Sequence, residues 1–171
     1  MAHWYDHTSI YQLYPKSFAD TNGDGIGDLR GIKEHITYLK NLGIDTIWLN
    51  PIYQSPQVDN GYDVADYQQI DPIFGTLTDF KDLIAAVHEQ GLHLIMDLVL
   101  NHTSDQHPWF KQALADPHSH YRDFYLWQTT HDGQVPNNWQ SFFGGSVWEP
   151  DPHEDKTFYF HLFDRHMPDL N

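Results

Sequence analysis

The chain has 171 residues, of which 40% are hydrophobic and 15% aromatic, which is enough apolar material for a folded core and excludes a disordered chain. Asp and Glu number 24 against 9 Lys and Arg, a formal net charge of −15 that repels phosphates, so we expect no nucleic acid and no membrane as partner. No cysteine, signal peptide or membrane-spanning segment is recognisable, and we therefore expect a cytoplasmic protein.

Strands and helices alternate along the first 96 residues of the sequence. Strands are predicted over residues 9–14, 45–50 and 93–96, and helices over residues 29–42 and 76–90. Gly43 ends the first helix, while Thr76 and Asp79 form the beginning of a capping box for the second. The unbroken apolar run at residues 93–96 predicts a strand buried on both faces. A helix between successive strands indicates an α/β fold with a parallel sheet.

The pattern changes after Ser104. A turn-rich break at residues 116–120 and an irregular aromatic stretch at residues 137–145 precede a further predicted strand at residues 157–163. These features indicate a loop-rich subdomain that follows the third strand.

A metal-type loop follows the first strand. Oxygen-bearing side chains fall at alternate positions, and a backbone carbonyl is available at the seventh, giving the ligand set Asp20, Asn22, Asp24, Ile26 and Asp28. Gly25 supplies a sharp turn at the sixth position, and a hard cation such as Ca²⁺ takes six to eight oxygen ligands from such a loop. The twelfth position is Gly31 rather than the Glu of an EF-hand. We expect a structural calcium site outside the EF-hand family; the alternative is an Asx-rich turn without metal.

Two groups of polar residues follow predicted strand ends. Asp97 and His102 lie five residues apart where the third strand ends, and Asp59 and Tyr62 belong to the loop that follows the second strand. Chemistry in α/β folds collects at the carboxyl ends of parallel strands, because the loops converge there. Alternatively, Asp97 caps a local turn and His102 is hydrogen-bonded within its loop.

The chain resembles the α-amylase family of glycoside hydrolases, close to its oligo-1,6-glucosidase, dextran glucosidase and trehalose-6-phosphate hydrolase branch. The matching segments follow the family's order over nearly the whole chain: residues 11–18, the metal-type loop, and residues 43–51, 59–67, 97–104, 143–148 and 167–171. The resemblance implies the N-terminal part of a (β/α)₈ TIM barrel, with its first three βα units in residues 1–103 and an inserted, loop-rich domain B in residues 104–171.

The same resemblance implies an intracellular retaining α-glucosidase that removes terminal glucose from short, isomalto-oligosaccharide-like α-glucosides. The alternatives are a trehalose-6-phosphate hydrolase and a non-catalytic, amylase-like binding or scaffold protein. The family's nucleophile and acid/base carboxylates would lie beyond Asn171, so we assign no catalytic residue to the chain and expect it to be inactive alone. Its open sheet edges predict self-association of the isolated chain.

The resemblance also implies roles for residues around the sugar. Asp59 would bind sugar hydroxyls, Tyr62 would form the platform for the ring, and His102 would contact the hydroxymethyl oxygen. Asp97 would hold the architecture of the site rather than act as nucleophile.

Two phenylalanines of domain B and one unusual methionine complete the resemblance. Phe143 and Phe163 would be pocket walls, and ordinary core packing is the alternative for both. Met167 stands where enzymes that cleave α-1,6 linkages often have Gln, which leaves the preferred linkage open.

Overall fold

The computed structural model describes residues 3–171. The α-helices are α1 (Leu29–Glu34), α2 (Ile36–Asn41), α3 (Leu77–Glu89) and α4 (Pro108–Ala115), with short 3-10 helices at Pro15–Ser17 and His120–Phe124. The strands are β1 (Ile10–Leu13), β2 (Thr46–Leu49), β3 (Tyr53–Gln54), β4 (Asp66–Ile70), β5 (His93–Met96), β6 (Trp127–Thr129), β7 (Trp148–Pro150) and β8 (Thr157–Phe160). Across residues 3–171, no helix combines the length and the apolar character that crossing a membrane requires.

Internal contacts divide the chain into two compact units. The first unit runs to Gln54 and resumes over Tyr67–Leu98, and the second combines Ser55–Asp66 with Val99–Asn171. The second unit thus takes in a loop from the first half of the sequence as well as the chain after residue 98. The predicted domain limits at residues 103 and 104 remain a prediction.

The first unit is built on a parallel sheet in the order β1-β2-β5, which confirms the predicted topology. Leu13 pairs with Leu49, and Leu49 pairs with Met96. Buried side chains from the sheet and helices form one core: Leu13, Leu29, Ile32, Ile36, Leu39, Ile47, Leu49, Ile52, Phe74, Leu83, Val87 and Leu92. Burial of this apolar surface is the main driving force for folding of the unit.

The predicted helix over residues 29–42 is in fact two helices, and His35 separates α1 from α2. The backbone of His35 leaves helical geometry, with φ −103° and ψ 8°. Its ring Nδ1 lies 2.8 Å from the carbonyl oxygen of Gly31, which is the acceptor that the His35 amide would use in a continuous helix. The side chain competes with the backbone for that carbonyl, and the helix is interrupted there.

Strand β5 is less buried than its apolar sequence predicts. His93 is exposed, and Leu94, Ile95 and Met96 are only partly buried. In the described part of the chain β5 pairs with β2 alone, so its other edge has no neighbouring strand. The expectation of burial on both faces is therefore wrong for these residues, because successive side chains point to opposite faces and those on each face remain partly open to solvent.

Helix α3 begins as its sequence predicts. The Thr76 hydroxyl accepts the Asp79 amide at 3.2 Å, and the Asp79 carboxylate accepts the Thr76 amide at 2.9 Å. This reciprocal capping box satisfies two amides that have no partner inside the helix. The short sheet of β3 and β4 was not predicted, because β3 has only two residues and β4 is mostly polar.

The second unit contains helix α4 and an antiparallel sheet in the order β6-β8-β7. The predicted strand at residues 157–163 is confirmed as β8, which already ends at Phe160. Phe110, Ala113, Tyr125 and Tyr159 form the buried core of this unit. Helix α4 was missed in the sequence, because its eight residues carry too few turns for a clear apolar period.

A buried arginine links the elements of the second unit. Arg122 pairs with Asp151 at 2.8 Å and with Glu154 at 2.6 Å. Its guanidinium lies 3.3 Å from the ring centre of Trp127 and donates to the carbonyl of Ala113 at 2.9 Å. A buried charge of this kind needs such partners, and removing one of them leaves a charge uncompensated.

Candidate functional site

A tight loop in the second unit positions Asp59. Gln57, Asn60 and Gly61 all have positive φ angles, of 64°, 52° and 98°. The fully buried carboxylate of Asp63 accepts the amide of Val58 at 2.9 Å and that of Asp59 at 3.0 Å. Positive φ at residues other than glycine is uncommon and persists only where the surrounding structure enforces it. Asp63 therefore fixes the backbone from which the Asp59 side chain extends.

His102 joins this loop through a hydrogen bond between residues that are distant in sequence. Its Nε2 lies 3.2 Å from the carbonyl oxygen of Tyr62, and its Nδ1 lies 3.2 Å from the amide nitrogen of the Asn101 side chain. A carbonyl oxygen can only accept, so Nε2 carries the proton and Nδ1 accepts from Asn101. Both bonds fit the neutral imidazole. A sugar hydroxyl would have to share or replace one of these partners.

Burial shifts the ionisation of both side chains. The pKa of His102 is lowered, because desolvation of the buried ring outweighs the carbonyl of Tyr62 and the nearby carboxylates. The pKa of Asp59 is raised by burial, and the negative charges of Asp63 and Asp164 act in the same direction against the opposing effect of His102. The site therefore holds a neutral imidazole beside a carboxylate that takes up a proton more readily than usual.

Asp169 is a member of this group that the sequence did not indicate. It pairs with His102 in an isolated antiparallel bridge, and its buried carboxylate accepts the amide of Leu162 at 3.0 Å. Burial raises the pKa of Asp169, although the Leu162 amide, the Asn101 side chain and the nearby His102 oppose that shift. The sequence does not show that Asp169 lies beside His102, because the two residues are 67 positions apart and no local pattern links them.

An aromatic wall lies beside His102. The Phe163 ring contacts the His102 ring edge-on, with their centres 5.4 Å apart. Phe142 stacks on Phe163 at 5.4 Å, and Phe143 lies at 6.2 Å from it. Phe142 and Phe143 are 75% and 61% exposed, so neither is a core residue. The structure thus brings both predicted wall residues together and adds Phe142, which sequence reasoning missed.

Asp97 belongs to the first unit. Its carboxylate accepts the indole N–H of Trp48 at 2.7 Å, and its backbone carbonyl accepts the hydroxyl of Tyr53 at 3.2 Å. These two bonds tie the end of β5 to β2 and to β3. They give Asp97 structural contacts, and its role in holding the architecture of a sugar site remains a prediction.

In the metal-type loop, every acidic side chain binds backbone amides. Asp20 accepts the amides of Gly23 at 2.7 Å and Gly25 at 2.8 Å, and these bonds lower its pKa. Asp24 accepts the Ile26 amide at 2.7 Å, and Asp28 caps α1 through the Gly31 amide at 2.7 Å. Over residues 3–171, no three His, Cys, Asp or Glu side chains form a group placed to hold a metal ion. The loop has the form of an Asx-rich turn, and calcium binding remains a prediction.

His102 bonds to the backbone of Tyr62 and lies near Asp59, and this pair of side chains suits a polyhydroxylated ligand. An ionised carboxylate accepts from two adjacent hydroxyls, and a neutral imidazole offers one donor and one acceptor. Aromatic faces such as those of Tyr62 and Phe163 can cover the apolar face of a sugar ring. The arrangement provides binding groups, and the chemistry of bond cleavage needs further carboxylates.

Comparison with known proteins identifies the family. The model of the alpha-amylase catalytic domain matches residues 12–171. The chain belongs to the alpha-amylase catalytic domain family. This family membership confirms the fold class, which is the N-terminal part of a TIM-barrel glycoside hydrolase domain.

Among curated relatives, the chain is 55% identical to an alpha-glucosidase of Pediococcus pentosaceus, over 98% of this chain and 30% of the relative. It is 52% identical to an oligo-1,6-glucosidase of Heyndrickxia coagulans, over 100% of this chain and 31% of that protein. A trehalose-6-phosphate hydrolase of Escherichia coli is also 52% identical, again over 100% of this chain and 31% of its own length. The chain therefore spans about a third of the relatives that it matches.

Solved structures give the same result. A mutant of MutB in complex with the substrate sucrose superposes with a TM-score of 0.96 at 51% identity, over 100% of this chain and 31% of that one. The trehalose-6-phosphate hydrolase of Bacillus licheniformis gives a TM-score of 0.93 at 50% identity, over 98% and 30%. The relatives thus differ in substrate while sharing the fold of this segment.

Proposed function

We propose that the complete protein containing this chain is a retaining α-glucosidase that hydrolyses terminal glucose from short α-glucosides of the isomalto-oligosaccharide type. The observation that carries the proposal is that His102 bonds to the backbone of Tyr62 and lies close enough to Asp59 for each to shift the pKa of the other, in one unit of a glycoside hydrolase domain. In this proposal Asp59 accepts hydroxyls of the terminal glucose and Tyr62 covers its ring. His102 binds its hydroxymethyl group.

The chain supplies binding groups, while the nucleophile and the acid/base lie outside it. A retaining glycosidase needs two carboxyl groups about 5–5.5 Å apart, one to form the glycosyl-enzyme and one to protonate the leaving group. We assign neither role to an acid of residues 3–171. Asp59 and Asp169 have raised pKa values in the described structure, and both lie in the group that would surround the bound sugar.

The test is an assay of the complete protein, expressed from the open reading frame that contains this sequence. Isomaltose, maltose and trehalose-6-phosphate are supplied separately, and proton NMR follows the anomer of glucose that is released first. We expect hydrolysis of isomaltose with release of the α-anomer. Release of the β-anomer, or failure to cleave any α-glucoside, would overturn the proposal.

A trehalose-6-phosphate hydrolase is the second candidate, and the 52% identity to the Escherichia coli enzyme of that name favours it. The negative charge of the candidate site disfavours a phosphorylated substrate. The carboxylates near the site, which repel a phosphate, are those of Asp59, Asp63, Asp164 and Asp169. A preference for trehalose-6-phosphate over isomaltose in the same assay would decide for this candidate. A non-catalytic scaffold role has no observation in its favour here.

We also propose that the loop of residues 20–28 binds a structural calcium ion. A carboxylate oxygen that accepts one amide keeps a second lone pair, and Asp20, Asn22 and Asp24 follow one another at alternate positions. Gly25 has φ +87°, the sharp turn that such a loop requires. The ion would hold the loop and take no part in bond cleavage.

For the isolated 171-residue chain we propose self-association, and for the complete protein a cytoplasmic location. Strands β1 and β5 lie at the two edges of the parallel sheet of the first unit, and Ile10 on β1 is 50% exposed. Sedimentation velocity of the isolated chain would contradict the first proposal if it shows a stable monomer. Fractionation of the source cells would contradict the second if the protein is found outside the cytoplasm.

A further inference from the structure

Two segments of the second unit carry the aromatic wall that lies beside His102. Phe142 and Phe143 lie on one segment and Phe163 on the other. The amide of Phe142 donates to the carbonyl of Leu162 at 2.9 Å, so the segments are joined at the wall itself. Since the Phe163 ring contacts His102, the position of these segments decides where the wall lies relative to the proposed glucose site.

The carbonyl oxygen of Phe163 accepts two hydrogen bonds from buried side chains. The Ser141 hydroxyl donates to it at 2.6 Å, and Nδ1 of His161 lies 3.0 Å from it. Ser141 is 7% exposed and His161 is 4% exposed. The Ser141 hydroxyl oxygen in turn accepts the amide of Phe143 at 3.1 Å. We call these two residues the Ser141–His161 clamp, because they join the backbone of Phe143 to that of Phe163.

The imidazole of His161 has an unusual environment for a core side chain. Because a carbonyl can only accept, Nδ1 carries the proton, and Nε2 is then an acceptor. Nε2 is buried and has no hydrogen-bond partner within residues 3–171. An unpartnered buried polar atom is unfavourable, so packing alone would be served better by an apolar ring. The feature that only the imidazole supplies here is the Nδ1–H bond to Phe163.

The clamp and the wall border the same open space. A cleft of about 260 Å³ is lined by Ser141, Phe143, His161 and Phe163, together with Glu149 and Arg165. Phe143 and Phe163 therefore have a free side that a ligand can contact. Ser141 and His161 are buried, so the clamp offers this cleft little surface beside the far more exposed Phe143.

We propose that Ser141 and His161 are positioning residues that fix the aromatic wall and thereby set the affinity for the sugar unit that contacts it. The inference rests on the proposed function and extends it to two residues that do not themselves touch the sugar. In this proposal the wall contacts the bound substrate and the transition state alike. Loosening it therefore raises KM and leaves kcat nearly unchanged.

The test uses the complete protein and isomaltose. Ser141→Ala and His161→Phe each remove one donor to the Phe163 carbonyl, and we expect KM to rise about tenfold while kcat stays within about twofold. His161→Asn keeps a donor at the place of Nδ1 and is expected to restore a nearly normal KM. The matched control is Ser119→Ala, because the Ser119 hydroxyl also accepts an amide two residues ahead but lies on another segment.

A double-mutant cycle separates positioning from general stability. In a Phe163→Ala background the wall ring is gone, so His161→Phe is expected to raise KM no further. An equal rise in both backgrounds would overturn the inference. Hydrogen exchange adds a readout that does not depend on catalysis, because Ser141→Ala removes the acceptor of the Phe143 amide. We expect peptides that contain Phe143 to exchange faster, and unchanged exchange would also overturn the inference.

The outcomes distinguish the inference from the function on which it rests. An active enzyme whose KM is unchanged in both Ser141→Ala and His161→Phe rejects the inference and keeps the proposed function. A complete wild-type protein that cleaves no α-glucoside rejects both.

Discussion

Two loops of this chain carry most of its acidic side chains with candidate binding roles, and they are held in opposite ways. The loop of residues 20–28 is mostly exposed, and Asp20, Asn22 and Asp24 bind amides two to five positions ahead. The loop of residues 57–63 is closed by the buried Asp63 and bound by His102, which lies 40 positions from Tyr62. The first loop is organised locally, and the second depends on the fold around it.

The difference appears in the ionisation of the two loops. Backbone amides lower the pKa of the exposed Asp20, whereas burial and neighbouring carboxylates raise that of Asp59. A carboxylate that is stabilised by amides contributes to the stability of its own loop. A carboxylate with a raised pKa is less stable in its charged form than it would be in water. Such groups are common at functional sites. We therefore expect changes in the first loop to alter stability and changes in the second to alter activity.

The largest effect is expected from Asp59→Asn in the complete protein. The variant loses a carboxylate that accepts from two sugar hydroxyls, and each charge-assisted bond is worth about 1.5–3 kcal/mol. We expect kcat/KM for isomaltose to fall by about 100-fold or more, with little change in Tm. The control is Asp155→Asn, since Asp155 is an exposed acid of the same unit. A variant with wild-type kcat/KM would show that Asp59 does not bind substrate.

The second effect is a pH dependence that His102 causes. Burial lowers its pKa below the usual 6.5, so in acid the unfolded chain takes up a proton that the folded protein resists. The unfolded state then binds more protons, and the stability contributed by this group falls as the pH drops below about 6.5. His102→Gln keeps a donor for the Tyr62 carbonyl but does not titrate. We expect Tm to fall less between pH 7 and pH 5 in this variant, and an equal fall in both proteins would contradict the explanation.

The third effect is a gain in stability with calcium. An ion that binds only the folded state at 100 times its dissociation constant stabilises by about 2.7 kcal/mol. Calorimetry of the complete protein should show a higher Tm with calcium than with a chelator, and Asp24→Ala should remove that difference. Asp116→Ala is the matched control, because Asp116 also accepts an amide two positions ahead. A Tm that is insensitive to calcium would leave the loop as an Asx-rich turn.

The smallest effect is expected from Gly25→Ala. Gly25 has φ +87° and no atom within 4 Å of an added Cβ, so the cost is backbone strain of about 1 kcal/mol. Gly43→Ala has the same strain at φ +86° with equally open surroundings. Both variants should lose a similar amount of Tm without calcium, but Gly25→Ala alone should weaken the response to calcium. KM for isomaltose should stay unchanged in both variants. A large rise in KM would contradict the assignment of stability to the first loop and of substrate binding to the second.

The sequence predicts the parts of the molecule whose signals are local. The capping box of Thr76 and Asp79 predicts the start of α3. Alternating β-forming residues predict β1, and short apolar runs predict β2 and β5. The break at His35 escaped prediction, because a side chain that binds the Gly31 carbonyl leaves the apolar period of the helix unchanged. Helix α4 escaped because it is short, and β3 and β4 because they carry little apolar pattern.

The candidate site follows the same rule. Asp59, Tyr62 and His102 were found through a resemblance of motifs, and the structure joins His102 to the backbone of Tyr62 and places it near Asp59. Asp169 and Phe142 were not found, because their roles depend on contacts across the fold with His102 and Phe163. The tautomer of His102 likewise depends on its two partners and has no signature in the sequence.

The most direct test of the account is a crystal structure of the complete protein with glucose bound. We predict that the Asp59 carboxylate lies within hydrogen-bonding distance of two adjacent hydroxyls, that the Tyr62 ring faces the sugar and that His102 contacts its hydroxymethyl group. Glucose bound elsewhere, with no contact to Asp59 or His102, would contradict the assignment of this site.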